Sequence, residues 1–508
     1  MSSSSTVSIQ GTSPDLFRRG PAAAGRAQGR FLVVSDRLPI ELTRAGGEGW
    51  RAAPARGALI SALTPVLKNR RGVWIGWPGI VEEKAPGLRR VLAGAIQDGG
   101  YTLRPVMLTA QEQRDCYGGF SGEVIWPLFH DQPLECNFQP AYWQAYRKVN
   151  RKFARTVARA AAVSGGTDLI WVHDHLLMGL AAELKRLGTR ARTAFFLHLP
   201  FPSPDLFLKL PWRDRLLEGL LAYDQIGFQT PRDLANFLVS ARTLVPGFTA
   251  QPGADGLWTL RGPEEESRAG AFPIGIDFQD IARRAADPAV TARAAALKAS
   301  LGGRRLVLGV DRLDRSKGIP EKLRAFAELL TRRPELQEKV SLMQVVVPSR
   351  ESLPRHAALR AEIERLVGEI NGYFGRPGWV PVHYQHRMLD PEELLAWYRM
   401  ADVALVTPLK AGMNLQAKEF CAGNLEERGV LVLSEFAGAA PQLAVGALRV
   451  NPFDVQATAR ALEKALRMKP EERGARMRRM RREVACHDVF WWADRFLAAA
   501  LQSFSLKS

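Results

Sequence analysis

FLVVSDRLPI (31–40) is a short β-branched run that closes on a turn, the pattern of a parallel strand covered on both faces, and it delivers Asp36 and Arg37 to the strand's carboxyl end. Outward from it, similar runs recur at GVWIGW (72–77), DLIWVHD (168–174), TAFFLHL (193–199) and QIGFQT (225–230). Stretches of helical period, such as 142–163 and 177–187, lie between them. Strand alternating with helix predicts a doubly wound parallel sheet. A second alternation begins at RRLVLGVDRL (304–313) and continues through VSLMQVVVP (340–348), PVHYQ (381–385), VALVTPL (403–409), GVLVLSEF (429–436) and LRVNPF (448–453). The fold class is therefore α/β, with two doubly wound sheets facing a cleft and ligands expected beyond the carboxyl ends of the strands. The segment 250–270, loaded with Gly, Pro and Glu, reads as an exposed insertion, and the hinge is expected near 275–293. DVFWWADRFLAAAL (488–501) predicts a closing helix that packs across either domain.

The 508 residues suit two cores better than one, and 46% hydrophobic content supplies them. The first thirty residues lack the apolar core of a secretory signal and no apolar run is long enough to span a bilayer, so a soluble cytoplasmic chain that engages no membrane is expected. Residues 1–29, rich in Ser, Gly, Ala and Arg, read as a disordered basic tail, a composition shared with organellar transit peptides. Cys116, Cys136, Cys421 and Cys486 stand far apart with no CxxC spacing, which predicts neither disulfides nor a zinc site. The net charge of +18 concentrates in the tail and in 473–482. Without interleaved aromatics these read as solvated surfaces rather than nucleic-acid contacts, and charge alone does not choose among nucleic acid, an anionic membrane and phosphorylated small substrates.

At the predicted strand ends stand Arg37, Asp174, His198, Arg312, Lys317, Arg350 and the segment KAGMNLQAKEF (410–420). Cations drawn from both halves suit two phosphorylated ligands, because guanidinium grips phosphate bidentately and ammonium supplies a movable point charge. Asn414 is placed to cap a helix whose free N–H groups would face a diphosphate. No GxGxxG fingerprint, Walker loop or HExxH is present, and HDH (173–175) has no further ligand cluster beside it, so no cofactor and no metal are expected. The tryptophans of WIGW (74–77) read as core.

The runs WVHDH, FFLHLPFPSPDLFLKLPW, YDQIGFQT, FPIGID, DRLDRSKGIPEK, VTPLKAGMNLQAKEF and LSEFAGAA stand in the order of glycosyltransferase family 20, the trehalose-6-phosphate synthases, which the chain resembles from about 31 to 501. The resemblance implies a GT-B architecture of two Rossmann-like domains, with the C-terminal helix returning to the first. The division is a tail over 1–29, an acceptor domain over 30–285, a nucleotide-sugar donor domain over 286–480 and a returning segment over 481–508. It implies transfer of glucose, with retention, from a nucleoside-diphosphate glucose to glucose 6-phosphate. Position by position, it assigns catalytic roles to Arg312, Lys317 and His198. Donor contacts fall on Gly57, Leu389, Leu415, Gln416 and Glu419 besides Arg312 and Lys317, and acceptor contacts on Arg37, Tyr117, Trp126, Asp174 and Arg350. A homo-oligomer is compatible with it.

Three positions depart from the family pattern. Ala411 stands where an aspartate precedes GMNL, His175 and Leu176 replace the end of an HDYH run, and the first loop carries Arg56-Gly57 in place of a glycine pair. Two alternatives stay in view: transfer to glycerol 3-phosphate or another phosphorylated acceptor, which shares the phosphate grip and differs in the acceptor pocket, and a catalytically silent sugar-phosphate sensor, which the loss of the aspartate keeps alive; a nucleic-acid role for the basic termini is a third. No phosphatase domain is expected after residue 508.

Overall fold

A computed structural model describes residues 31–44, 50–55, 57–70, 72–81, 101–162, 169–263, 265–349 and 354–502. The basic tail, Arg56 and Arg350 lie outside the described residues.

The first half forms β1 (Phe31–Arg37), the hairpin β2 (Ile40–Arg44) and β3 (Trp50–Pro54), then β4 (Val73–Trp77), β5 (Thr102–Pro105), β6 (Leu169–His173), β7 (Arg192–Phe196) and β8 (Gln225–Phe228). Then β9 (Thr249–Pro252), β10 (Trp258–Arg261) and β11 (Glu266–Ala271) complete a sheet ordered β5-β4-β1-β6-β7-β8-β11-β10-β9. The expected exposed insertion at 250–270 is thus corrected: it folds as antiparallel ribbon on the sheet's edge, because Leu260 turns into the core while Arg261 and Glu266 face water. Every residue of β6 is buried, as a strand covered by helices on both faces requires.

The second half forms β12 (Arg305–Arg312), β13 (Val340–Val347), β14 (Val382–His386), β15 (Val403–Val406), β16 (Val430–Ser434) and β17 (Leu448–Val450), an all-parallel sheet ordered β14-β13-β12-β15-β16-β17. In the first sheet the chain winds from β1 out to β5 and returns at β6, so β1 and β6 flank a switch point. In the second sheet β12 and β15 do so. Ligand crevices open at such reversals.

The chain crosses between the bodies near 272–277, where buried Lys418 Nζ donates to the Ile274 carbonyl. Helix Phe278–Ala285 then packs on helices of the second body. The last helix, Val489–Gln502, returns: Trp492 lies 5.1 Å from both Trp171 and Phe196, and Phe496 lies 5.0 Å from Phe272. The preceding helix, Pro470–Cys486, was expected to turn its arginines to solvent, and two of them do otherwise. Arg473 donates to the carbonyls of Ala465, Leu466 and Met468, and Arg481 to those of Cys421 and Ala422, so both occupy the orphan C=O groups of neighbouring helix ends.

Candidate functional site

The two switch points face each other. At the first, Arg37 ends β1 with its guanidinium 5.0 Å above the Trp77 ring. Gly79, at φ +88°, leaves the space this guanidinium occupies, since a Cβ there would collide with it. Tyr117 stacks obliquely on Trp77 at 4.6 Å and donates its hydroxyl to the Asp36 carbonyl. It is carried on a π-helix, Gln113–Ile125, a winding that recurs at functional sites.

Asp174 follows β6 with φ +71° and ψ 169°, a region that is essentially glycine's and costs about 1–3 kcal/mol for other residues. Its carboxylate accepts from the His198 backbone N–H at 3.4 Å and lies 3.3 Å from His175 Nδ1, while His175 Nε2 meets Ser121 Oγ at 2.7 Å. The imidazoles and backbone donors outweigh its burial and hold the Asp174 carboxyl well below the usual carboxylate range. Asp36 beside it moves the other way, raised by burial and by the Asp174 charge. These partners absorb HDH (173–175) into hydrogen bonding.

At the second switch point the motif DRLDRSKG sorts its cations. Arg315 is committed to Glu321, Nη1 to Oε2 at 2.8 Å. The side chains of Arg312 and Lys317 make no ion pair or hydrogen bond among the described residues. Burial and the neighbouring Arg312 charge push the Lys317 ammonium down to about 8. Arg312 instead lies 5.1 Å over the Trp126 ring, across the cleft. Trp126 stacks on His130 at 4.3 Å, and burial, helped by the Lys317 and Arg312 charges and opposed by Asp314, pushes His130 down to about 4. His130 escaped the sequence reading, although its i+4 spacing from Trp126 in WPLFH was a usable signal. Beside it, Asp131 at φ +60° reaches Lys410 of the second body at 2.9 Å.

The segment after β15 lies against the first body: a Cβ on Gly412 would strike the His198 carbonyl, and one on Gly438 would strike the Gly412 carbonyl. His198 Nδ1 sits 3.2 Å from Met413 Sδ. Ala411 pairs through its backbone with Phe436 and Gly438. Helix Leu415–Gly423 follows as expected, but the expected side-chain cap is not made. Asn414 stands at the cap position in a left-handed conformation, its side chain makes no cap hydrogen bond, and its buried Oδ1 has no partner among the described residues. Gln229, which packs beside Gly438, likewise keeps a buried Nε2 without a partner among the described residues.

A cavity of about 660 Å³ opens between the bodies. Leu389, Leu415 and Glu419 line it from the second body, with Tyr398 Oη donating to Glu419 Oε2 at 3.4 Å, and Ala55, Ile60 and Lys68 line it from the first. Burial raises the Glu419 carboxyl. Gly57 is exposed beside this cavity and half-buried Gln416 lies outside its lining, so the predicted donor residues fall into a cavity set and a cation set rather than one shell. The arrangement offers a concave pocket and, outside its lining, the cations Arg312 and Lys317, unpaired among the described residues and suited to an anion.

The sequence profile described as glycosyltransferase family 20 matches residues 29–502. A trehalose-6-phosphate synthase of Mycolicibacterium paratuberculosis is 42% identical over 492 residues, covering 96% of this chain and 98% of that protein. A trehalose-6-phosphate synthase of Mycolicibacterium smegmatis is 42% identical over 92% of each chain. Among solved structures, a UDP-forming alpha,alpha-trehalose-phosphate synthase from Burkholderia xenovorans in complex with glucose 6-phosphate superposes with TM-score 0.82 at 34% identity, over 93% of this chain and 100% of that one. A trehalose-6-phosphate protein from E. coli bound with UDP-2-fluoro glucose gives TM-score 0.82 at 34% identity, over 93% and 99%.

Proposed function

The chain belongs to glycosyltransferase family 20, and on that premise we propose that it transfers glucose from UDP-glucose to glucose 6-phosphate, with retention, giving trehalose 6-phosphate and UDP. The observation that carries the site chemistry is the pair Arg312 and Lys317, which form no salt bridge among the described residues, at a strand end beside a helix whose cap residue does not cover its N–H groups. These would receive the diphosphate, and the Leu389, Leu415 and Glu419 wall the nucleoside. Arg37, Tyr117, Trp126 and Asp174 would hold the phosphorylated acceptor, together with Arg350.

In the step itself the bond from the sugar C1 to the β-phosphate oxygen breaks. The acceptor hydroxyl oxygen bonds to C1 on the same face, and its proton passes to the departing phosphate oxygen. The protein supplies position and fixed positive charge rather than a nucleophile. In this reading the sugar hydroxyls that an aspartate at 411 would hold fall to the buried amides of Gln229 and Asn414, each of which has an atom to spare. The acceptor body would span 30–285, the donor body 286–480, and 481–508 would tie them. Both substrates are charged and do not cross membranes unaided, which supports a cytoplasmic location.

The test is nucleotide release over a grid of nucleoside-diphosphate glucoses and phosphorylated acceptors, with the product read by NMR. UDP release dependent on glucose 6-phosphate, with an α,α-linked product, is expected. Release with glycerol 3-phosphate alone, or none, would overturn it.

A further inference from the structure

We propose that His173 is a positioning residue that locks the tautomer of His198, so that the His198 Nδ1–H is presented to the Gly412–Asn414 segment as a donor for the transferred sugar; its sugar half rests on the glucosyl-transfer reading above. Two distances and one unpartnered nitrogen fix the protons. His173 Nδ1 lies 3.1 Å from His198 Nε2, and His198 Nδ1 lies 3.2 Å from Met413 Sδ. His173 Nε2 has no partner among the described residues. A thioether sulfur has no proton to give, so a close approach to Met413 requires the hydrogen on His198 Nδ1. His198 Nε2 is then a lone pair, and the ring facing it must donate, which puts the hydrogen of His173 on Nδ1. The opposite tautomer of His173 would set two lone pairs against each other and bury an N–H with no acceptor. Each ring carries a single proton, because burial pushes His198 down to about 4 and holds His173 well below its ordinary value.

The sulfur is a weak acceptor on an unbranched, adaptable side chain, so a sugar hydroxyl arriving at this loop can displace it and take the stronger bond. His173 is held for the purpose: its ring lies 4.5 Å from Trp171, it is buried, and the closing helix brings Trp492 within 6.4 Å. Two bodies and the last helix thus converge on the proton of one imidazole.

The experiment uses the full chain labelled with ¹⁵N-histidine, whose 8 histidines make a tractable long-range ¹H–¹⁵N correlation spectrum, His198 being assigned by loss of its signals in His198→Gln. Protonated Nδ1 and bare Nε2 are expected at His198. His173→Phe keeps a ring against Trp171 but removes the donor. It should give a second or averaged His198 tautomer and lower turnover about tenfold, leaving the KM for the phosphorylated acceptor within about twofold. His173→Asn, whose amide N–H stands where the imidazole Nδ1–H stood, should restore turnover to within about threefold of the parent and restore the single tautomer. An Nε2–H His198 in the parent, an unchanged tautomer in His173→Phe, or equal turnover losses in the Asn and Phe variants would each overturn the lock. The expected tautomers in a chain that transfers no glucose would uphold the lock and refute the transfer reading.

Discussion

Among the residues of DRLDRSKG, position along the motif matters less than what each cation already holds. Arg315 is spent on Glu321, while Arg312 and Lys317 have their charge available. Arg312→Ala or Lys317→Ala should lower turnover about a hundredfold, the scale for removing one fixed charge from a leaving group in a water-poor site. Burial and the adjacent Arg312 lower the Lys317 ammonium to about 8, so it is charged below that pH and loses its proton as the pH rises through it. The kcat/KM for the donor, which reports the free enzyme, should therefore fall above about pH 8, and Lys317→Arg should carry that limb upward. An alkaline limb that stays in place in the arginine variant would assign it to another group. Asp174 gives a second test, because its φ of +71° favours glycine. Asp174→Gly and Asp174→Ala both remove the carboxylate and should both spoil acceptor saturation. The glycine variant should nonetheless be more stable by about 1 kcal/mol, strain relief outweighing the entropy gained by the unfolded chain. Equal urea midpoints would show that the strain is not borne there.

Among elements, the buried parallel strands were legible because a strand covered on both faces is nearly all apolar, as in β6, and β13 departs from that only at Ser341 and Gln344. What escaped was exposed or short. The hairpin β2 and β3 and the ribbon through β10 have one wet face, and there Gly, Pro and Glu hid the alternation of WTLR. The site was legible where chemistry and strand end coincide, as at Arg37, Asp174 and Arg312. It was not legible where a residue acts through partners distant in sequence, as with Gly79 beneath Arg37 or Asp131 against Lys410. The arginines of helix Pro470–Cys486 misread for the same reason, since charge in a sequence says nothing of the orphan carbonyls waiting elsewhere. Arg481 joins the end of helix Leu415–Gly423, the proposed diphosphate helix, to its neighbour. Arg481→Leu should cost about 1–3 kcal/mol by leaving those carbonyls unmet, read as a lowered urea midpoint. A surface arginine would give a change within about 0.5 kcal/mol, and that result would remove the capping role.

At the scale of the molecule, the cleft is bridged at separate points by unlike forces. Arg355 donates to the Gly122 carbonyl at 2.6 Å, Arg312 covers Trp126, Met413 meets His198, and Lys410 pairs with Asp131 at 2.9 Å. None is large, and a closure built from small terms can open for product release and reclose on substrate. The Asp131–Lys410 pair is the most directly testable, because Lys410 adjoins the Ala411–Asn414 loop and Asp131 occupies the left-handed region that asparagine also tolerates. Asp131→Asn therefore removes the charge while keeping the backbone. An ion pair with one partner half-exposed is worth about 0.2–1 kcal/mol. The variant should accordingly raise KM for both donor and acceptor by about twofold to fivefold, since closure serves both, with turnover little changed. The difference from the parent should shrink as salt rises from about 0.05 to 0.5 M, because added ions already weaken the pair in the parent chain. A KM change confined to one substrate would make Asp131 a contact of that substrate's site rather than a latch. An effect that persists undiminished at high salt would mean that the contact acts through packing instead of charge.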